Sequence, residues 1–106
     1  MDYGFIPSVS EEEIRKERQR ARQLRSTRWW RQKKQRGVCH YCGRRFKPSE
    51  LTMDHIVPLI RGGKSTKSNI VACCKDCNNR KKYMLPLEWN EYIEAMKREK
   101  DPSEPL

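Results

Sequence analysis

Two cysteine pairs, each with two residues between its members, are the most informative chemical feature of this chain. Cys39 and Cys42 form the first pair, and Cys74 and Cys77 form the second. Four thiolates in such pairs can fill the tetrahedral shell of one Zn²⁺ and leave no position open, which is typical of a structural site. The spacing therefore predicts a zinc ion that serves as scaffold, so any catalysis must come from other residues.

One further cysteine and one histidine lie beside these pairs. Cys73 precedes Cys74, but only Cys74 has the two-residue spacing to Cys77, so we expect Cys73 to be buried packing. His40 lies inside the first pair and is interpreted as a spacer, with a ligand role as the alternative.

Composition indicates a small domain that needs such a staple. The chain has 106 residues, of which 35% are hydrophobic and 36% are charged. Domains below about 70–80 residues rarely fold on their core alone. The cysteine count is odd, the N-terminus lacks the apolar run of a signal peptide, and no stretch approaches the roughly 20 apolar residues that span a bilayer. These features predict a reducing, cytoplasmic location and no membrane partner.

The charge distribution predicts a polyanionic partner. The net charge is +10, and residues 1–36 carry 11 Lys/Arg against 5 Asp/Glu. Residues 37–82 carry 10 against 3, whereas residues 83–106 carry 3 against 6. A polyanion is the expected partner, because neutralising phosphates with Lys/Arg releases counterions and supplies affinity. An anionic membrane surface fits less well, since the basic stretch lacks a sustained apolar face.

Local patterns predict a basic helix before the first cysteine pair. Ser10 followed by Glu13 is a capping box, so a helix should begin there and end near Gly37. This helix is either a solvated arm or a DNA-binding element, and Trp29 and Trp30 are expected to dock it on the zinc core.

The remaining elements surround the cysteines. Residues 51–57 and 69–72 are expected to form two strands of a hairpin, separated by a glycine-containing loop. A helix should follow over residues 78–82, and a last amphipathic helix should begin near Pro86. The predicted organisation is a basic N-terminal arm or helix over residues 1–36, a zinc-stapled domain over 37–100 and a tail over 101–106.

The order of these motifs resembles the HNH nuclease family in its four-cysteine zinc form. The resemblance covers residues 39–82 and rests on the two cysteine pairs, Thr52-Met-Asp54-His55-Ile-Val-Pro58, Gly62-Gly63, Asn69-Ile and Cys77-Asn78-x-x-Lys81. It implies a small α+β fold, in which a ββα-metal (HNH, His-Me finger) core is stapled by a four-cysteine zinc site. The basic N-terminal helix and the C-terminal helix are additions to that core.

The resemblance also implies hydrolysis of a phosphodiester with one divalent cation. On that pattern His55 is the general base, Asp54 and Asn78 are ligands of the cation, and Asn69 helps to hold the histidine. The last position is asparagine, where the family name would suggest histidine. A carboxylate with a neutral amide suits Mg²⁺ or Mn²⁺ better than Zn²⁺.

The residues themselves support the same roles. Hydrolysis needs a base on one side of phosphorus and something that absorbs charge on the other side. Neighbouring strand residues point to opposite sides, so Asp54 and His55 could flank one phosphate. A histidine with a pKa near ~6.5 can accept a proton at pH 7, and Asn69 or a backbone carbonyl could fix its tautomer. Each of these residues also has a structural interpretation. An Asp-His pair is often an ordinary surface hydrogen bond, Asn69 could be a turn residue, and Asn78 could be a helix N-cap.

The leading hypothesis is a metal-dependent DNA endonuclease, with a nicking enzyme as one form of it. Stand-alone proteins of the family serve phage DNA packaging, restriction or mobile elements. A partner protein from phage packaging or restriction is therefore compatible with the sequence, which does not choose among these systems. The alternatives are a non-catalytic, zinc-stabilised nucleic-acid-binding module and a protein-interaction domain whose basic arm binds an acidic partner. The basic residues near the proposed site are either DNA contacts or a solvated face: Arg61, Lys64, Arg80, Lys81 and Lys82.

Overall fold

A two-stranded antiparallel hairpin is the scaffold on which the other elements pack. In the computed structural model, which describes residues 9–100 apart from the side chain of residue 100, β1 spans Leu51–His55 and β2 spans Ile70–Cys74. The register pairs Asp54 with Val71. The predicted tail and residues 1–8 of the predicted arm lie outside the described residues.

In the part of the chain that the structure describes, four α-helices accompany the hairpin. Two precede it, α1 over Glu11–Arg25 and α2 over Arg28–Gln35, and two follow it, α3 over Lys75–Lys81 and α4 over Pro86–Lys100. This arrangement confirms the predicted small α+β fold with added N-terminal and C-terminal helices. Within residues 9–100, no helix is long and apolar enough to cross a membrane.

The predicted single basic helix is in fact two helices. Ser10 caps α1 as expected, since its Oγ accepts a hydrogen bond from the backbone N of Glu13 at 3.0 Å. The break falls at Ser26 and Thr27, whose hydroxyls donate to the carbonyls of the preceding turn at 2.8 and 2.6 Å. Thr27 Oγ1 then accepts from the N of Trp30 and caps α2. Hydroxyl side chains that compete with the backbone in this way end one helix and begin the next.

One face of the hairpin is covered by α1 and α2. Trp30, Leu51, Ile70 and Ala72 form a buried cluster, against which Leu24 and Trp29 pack. The tryptophans were expected to dock the N-terminal helices on the zinc core, but they dock them on the hairpin instead.

A second buried cluster holds the cysteines and α4. Trp89 of α4 is buried with Cys39, Cys73, Cys74 and Cys77, and Tyr92 and Ile93 pack against the same cluster. The predicted start of α4 at Pro86 is confirmed. Cys74 ends β2 and also caps α3, which therefore begins at Lys75, three residues before the predicted Asn78.

The loop that follows β1 is pinned closely to the hairpin. β1 ends at His55, two residues earlier than predicted, because Asn69 takes the place of a strand partner for Val57. Its Oδ1 accepts from the N of Val57 at 2.9 Å, and its Nδ2 donates to the carbonyls of Val57 at 3.0 Å and Lys64 at 2.8 Å. A Cβ at Gly63 would lie 1.8 Å from the carbonyl oxygen of Val57, so only glycine fits there.

Candidate active site and metal centre

The four paired cysteines converge into one cluster. Their sulfur atoms all lie within 4.8 Å of one another, and the Sγ atoms of Cys42 and Cys74 are 4.0 Å apart. Zn–S bonds of about 2.3 Å place the sulfurs of a regular tetrahedron about 3.8 Å apart, so this donor set fits a structural zinc ion. Backbone N–H groups of Tyr41 and Cys42 point at the Sγ of Cys39, at 3.4 and 3.5 Å, and would offset thiolate charge.

Cys73 and His40 lie outside this cluster, as the spacing predicted. Cys73 is fully buried, and its Sγ lies 3.7 Å from Thr52 Oγ1. Burial raises the pKa of Cys73 to about 12, so its thiol stays protonated.

His55 is held by Ser65 and, through it, by α1. His55 Nε2 lies 2.9 Å from Ser65 Oγ, and that hydroxyl donates to the backbone carbonyl of Glu17 at 2.6 Å. The carboxylate of Glu17 accepts from the backbone N of Ser65 at 2.7 Å. Three hydrogen bonds thus join the imidazole to a helix that lies far away along the chain.

These bonds determine which imidazole nitrogen carries the proton. The Glu17 carbonyl can only accept, so the single hydrogen of the Ser65 hydroxyl is used there. Ser65 Oγ must therefore accept from His55, which places the proton on Nε2 and leaves the lone pair on Nδ1. Burial lowers the pKa of His55, and the neighbouring Asp54 carboxylate opposes that shift.

Asp54 is buried on the other face of β1. Its Oδ2 accepts from the hydroxyl of Tyr41 at 2.6 Å and forms an ion pair with Lys81 Nζ at 3.2 Å. Lys81 also donates to the carbonyl of His55 at 3.0 Å. No hydrogen bond to the second carboxylate oxygen, Oδ1, is present among the described residues.

The buried position of Lys81 corrects the expectation that it contacts DNA. Its side chain is only 1% exposed, and its ammonium group is occupied by Asp54 and His55. A buried ammonium needs such compensation, because an unpaired charge in the interior is strongly unfavourable. Lys81 therefore acts inside the site and does not face a phosphate backbone.

Asn78 is oriented by a second hydrogen-bond chain. Its Nδ2 donates to Thr52 Oγ1 at 3.0 Å, and that hydroxyl donates to the carbonyl of Cys73 at 3.1 Å. The amide nitrogen is therefore occupied, and the amide oxygen has no hydrogen-bond partner among the described residues. An oxygen of this kind is a suitable ligand for a hard divalent cation.

His55, Asp54 and Asn78 line one cavity of ≈610 Å³, which Arg18 and Lys82 also line. The side chains on the two faces of β1 thus reach the same space at its end. Asp54 and Asn78 each have a side-chain oxygen that lacks a hydrogen-bond partner among residues 9–100, and oxygen is the donor type that Mg²⁺ and Mn²⁺ prefer.

Asn69 is placed differently from the expectation. Its amide bonds only to the loop backbone at Val57 and Lys64, and within the described part of the chain it makes no hydrogen bond to the imidazole. The expected contact to the His55 ring is made by Ser65 instead, so Asn69 shapes the loop after His55.

The other basic residues predicted to contact DNA differ in their surroundings. Arg61 is partly buried and pairs with Glu88 at 3.2 Å, whereas Lys64, Arg80 and Lys82 are exposed. Arg80 pairs with Asp76 at 3.0 Å.

Sequence reasoning did not find Glu17, Ser65, Tyr41 or the internal role of Lys81. One signal was present for Glu17, which is the single acidic residue between Arg15 and Arg36. An isolated acid in a basic helix indicates a carboxylate that binds a specific partner, in preference to a carboxylate on a solvated face. Nothing comparable distinguished Ser65 from other loop serines.

Known proteins are similar to the part of the chain that contains this site. A family model described as HNH endonuclease matches residues 39–91, which is half of the chain. A 44-residue segment, 41% of this chain, is 46% identical to the CRISPR-associated endonuclease Cas9 of Corynebacterium diphtheriae and spans only 4% of that protein. α1 and α2 precede the residues that the family model matches. On the evidence of its cysteine cluster, its hairpin and this match, the chain belongs to the HNH endonuclease family.

Proposed function

We propose that this protein is a metal-dependent DNA endonuclease that hydrolyses a phosphodiester bond at the cavity lined by His55, Asp54 and Asn78. The observation that carries the proposal is the set of polar side-chain atoms at this cavity that have no hydrogen-bond partner among the described residues. Nδ1 of His55 and Oδ1 of Asp54 and Asn78 lack hydrogen-bond partners among the described residues, whereas their other polar side-chain atoms are engaged. These three atoms support the proposal, because a metal ion and an attacking water can bind to them.

His55 acts as the general base. Its Nδ1 accepts a proton from water as the water oxygen attacks phosphorus, and the bond from phosphorus to the leaving sugar oxygen breaks. When the leaving group is the 3′ oxygen, as the family resemblance implies, it takes a proton from solvent, and the products have 5′-phosphate and 3′-hydroxyl ends. Ser65 and Glu17 support this role because they keep the imidazole proton on Nε2.

Asp54 and Asn78 would hold the divalent cation, Mg²⁺ or Mn²⁺, which when bound supplies positive charge next to the leaving oxygen. The ammonium of Lys81 already neutralises part of the Asp54 charge. Two protein oxygens with so little net charge make a weak site, so phosphate oxygens of the substrate are needed to complete the coordination.

The DNA contacts proposed at this site are to the backbone. Lys82 lines the cavity, and Lys64 and Arg80 are exposed. Contacts of this type position a strand but carry no base information.

A plasmid-nicking assay tests the proposal. Wild-type protein with Mg²⁺ or Mn²⁺ should convert supercoiled plasmid to the open-circular form. His55→Ala should cut at least roughly 100-fold more slowly, the lower range for loss of a general base, while it still binds DNA. His40→Ala is the matched control, because it removes the other histidine from outside the cavity, and it should cut like wild type.

Binding without cleavage would support the alternative function. If the wild-type protein retains plasmid but cuts it with neither Mg²⁺ nor Mn²⁺, the chain is a zinc-stabilised nucleic-acid-binding module.

A further inference from the structure

Helix α1 carries a row of arginines along one face. Arg15, Arg18, Arg22 and Arg25 are spaced by three, four and three residues, so their side chains align along the helix. All four residues are exposed. At a rise of about 1.5 Å per residue, the row extends over about 15 Å.

The other two basic residues of α1 behave differently. Lys16 pairs with Glu12 and Arg20 pairs with Glu17. Among residues 9–100, no ion pair involves an arginine of the row. Arginines three or four residues apart repel one another. The row is therefore positive charge that the described part of the protein does not neutralise.

The row lies beside the proposed active site. Arg18 lines the same cavity as His55. Because two hydrogen bonds donated by Ser65 to Glu17 fix α1 to the loop beside His55, the position of the row relative to the site is defined.

We propose that Arg15, Arg18, Arg22 and Arg25 form a phosphate-binding row that holds the DNA strand on one side of the scissile bond. Guanidinium groups suit this task, since one planar guanidinium can donate two parallel hydrogen bonds to two oxygens of the same phosphate. The acidic first turn of α1, with Glu11, Glu12 and Glu13, would repel phosphate and sets the end of the row. This inference rests on the proposed function, and it adds a substrate-binding element outside the residues that match the family.

The salt dependence of DNA binding tests the row. His55→Ala protein without Mg²⁺ or Mn²⁺ binds a labelled duplex but cannot cut it, and fluorescence anisotropy gives the dissociation constant at several salt concentrations. Each lost phosphate contact reduces the slope of log K against log salt by about 0.9, so Arg22→Ala/Arg25→Ala should reduce it by about 1.8. Alanine preserves α1, because it is the strongest helix former.

A matched control removes the same charge elsewhere. Lys97 and Arg98 are exposed on α4, and Lys97→Ala/Arg98→Ala should leave the slope unchanged. The proposal is overturned if the row variant keeps the wild-type slope or if both double variants lose it equally. Nicking by wild-type protein is scored separately. If the row variant has a reduced salt slope but wild-type protein does not nick, only the nuclease proposal is refuted. If wild-type protein nicks but the row variant keeps the wild-type salt slope, only the row is refuted.

Discussion

Replacement of Glu17 by alanine should weaken the attachment of α1 to the loop that holds His55. The Glu17 side chain is nearly buried, and its carboxylate accepts a 2.7 Å hydrogen bond from the backbone N of Ser65. In Glu17→Ala this buried N–H loses its acceptor. A hydrogen bond to a charged group contributes about 1.5–3 kcal/mol. At roughly 4–8 °C per kcal/mol for a domain of this size, the melting temperature should fall by roughly 6–24 °C.

Glu17→Gln isolates the contribution of the charge. The hydrogen bond from Ser65 is the main cause that lowers the pKa of Glu17 below its ordinary value of 4.5. A carboxyl with a lowered pKa in the folded state stabilises the fold above the ordinary value, and it loses this contribution as the pH falls through the folded-state pKa. The stability difference between wild type and Glu17→Gln should therefore be constant near neutral pH and shrink below pH 4.5.

Thermal unfolding of the zinc-loaded protein, followed by circular dichroism, measures both variants. Glu12→Ala is the control, because Glu12 is an exposed acid of the same helix and its replacement should change the melting temperature little. Glu17→Ala should also slow nicking at unchanged zinc content. A melting temperature of Glu17→Ala equal to that of Glu12→Ala would refute this reasoning.

Three further perturbations test other parts of the site. Lys81→Met leaves the buried Asp54 carboxylate without its ion-pair partner and should lower the free energy of unfolding by about 3–5 kcal/mol in urea titrations; an unchanged midpoint would contradict this. Cys74→Ser should abolish stoichiometric zinc binding and the helical dichroism, because the binding free energy of a structural zinc is folding free energy, whereas Cys73→Ser should retain one zinc per chain by atomic absorption. Asn69→Ala removes three hydrogen bonds to the loop backbone and should reduce the nicking rate while zinc content stays constant; wild-type nicking would show that this loop does not position His55.

Local spacing was sufficient to predict the cysteine cluster and the hairpin that carries Asp54 and His55. Two-residue separations in both cysteine pairs leave few ways to bring four sulfurs together. The break between α1 and α2 was missed, because the basic composition continues through Ser26 and Thr27 without interruption. Their hydroxyls donate to carbonyls of the preceding turn and so compete with the backbone hydrogen bonds of a continuous helix. In a sequence, serine and threonine alone are only a weak signal of such a break.

The partners of the proposed catalytic residues could not be predicted, because they depend on contacts between distant segments. Ser65 and Glu17 are 48 residues apart, and no local pattern joins them. Lys81 lies on a short helix rich in charged residues, where an exposed side chain is the usual outcome. It is buried because Asp54, 27 residues earlier, neutralises it, and only the packing of α3 on β1 brings the two together.

The position of Mn²⁺ in crystals of His55→Ala protein with uncut DNA is the most direct test of the proposed site. Anomalous scattering can distinguish this ion from zinc at the four cysteines. We expect one Mn²⁺ bonded to Oδ1 of Asp54 and Oδ1 of Asn78, with a DNA phosphate completing its shell. DNA bound across the cavity with no ion at these two oxygens would contradict the account.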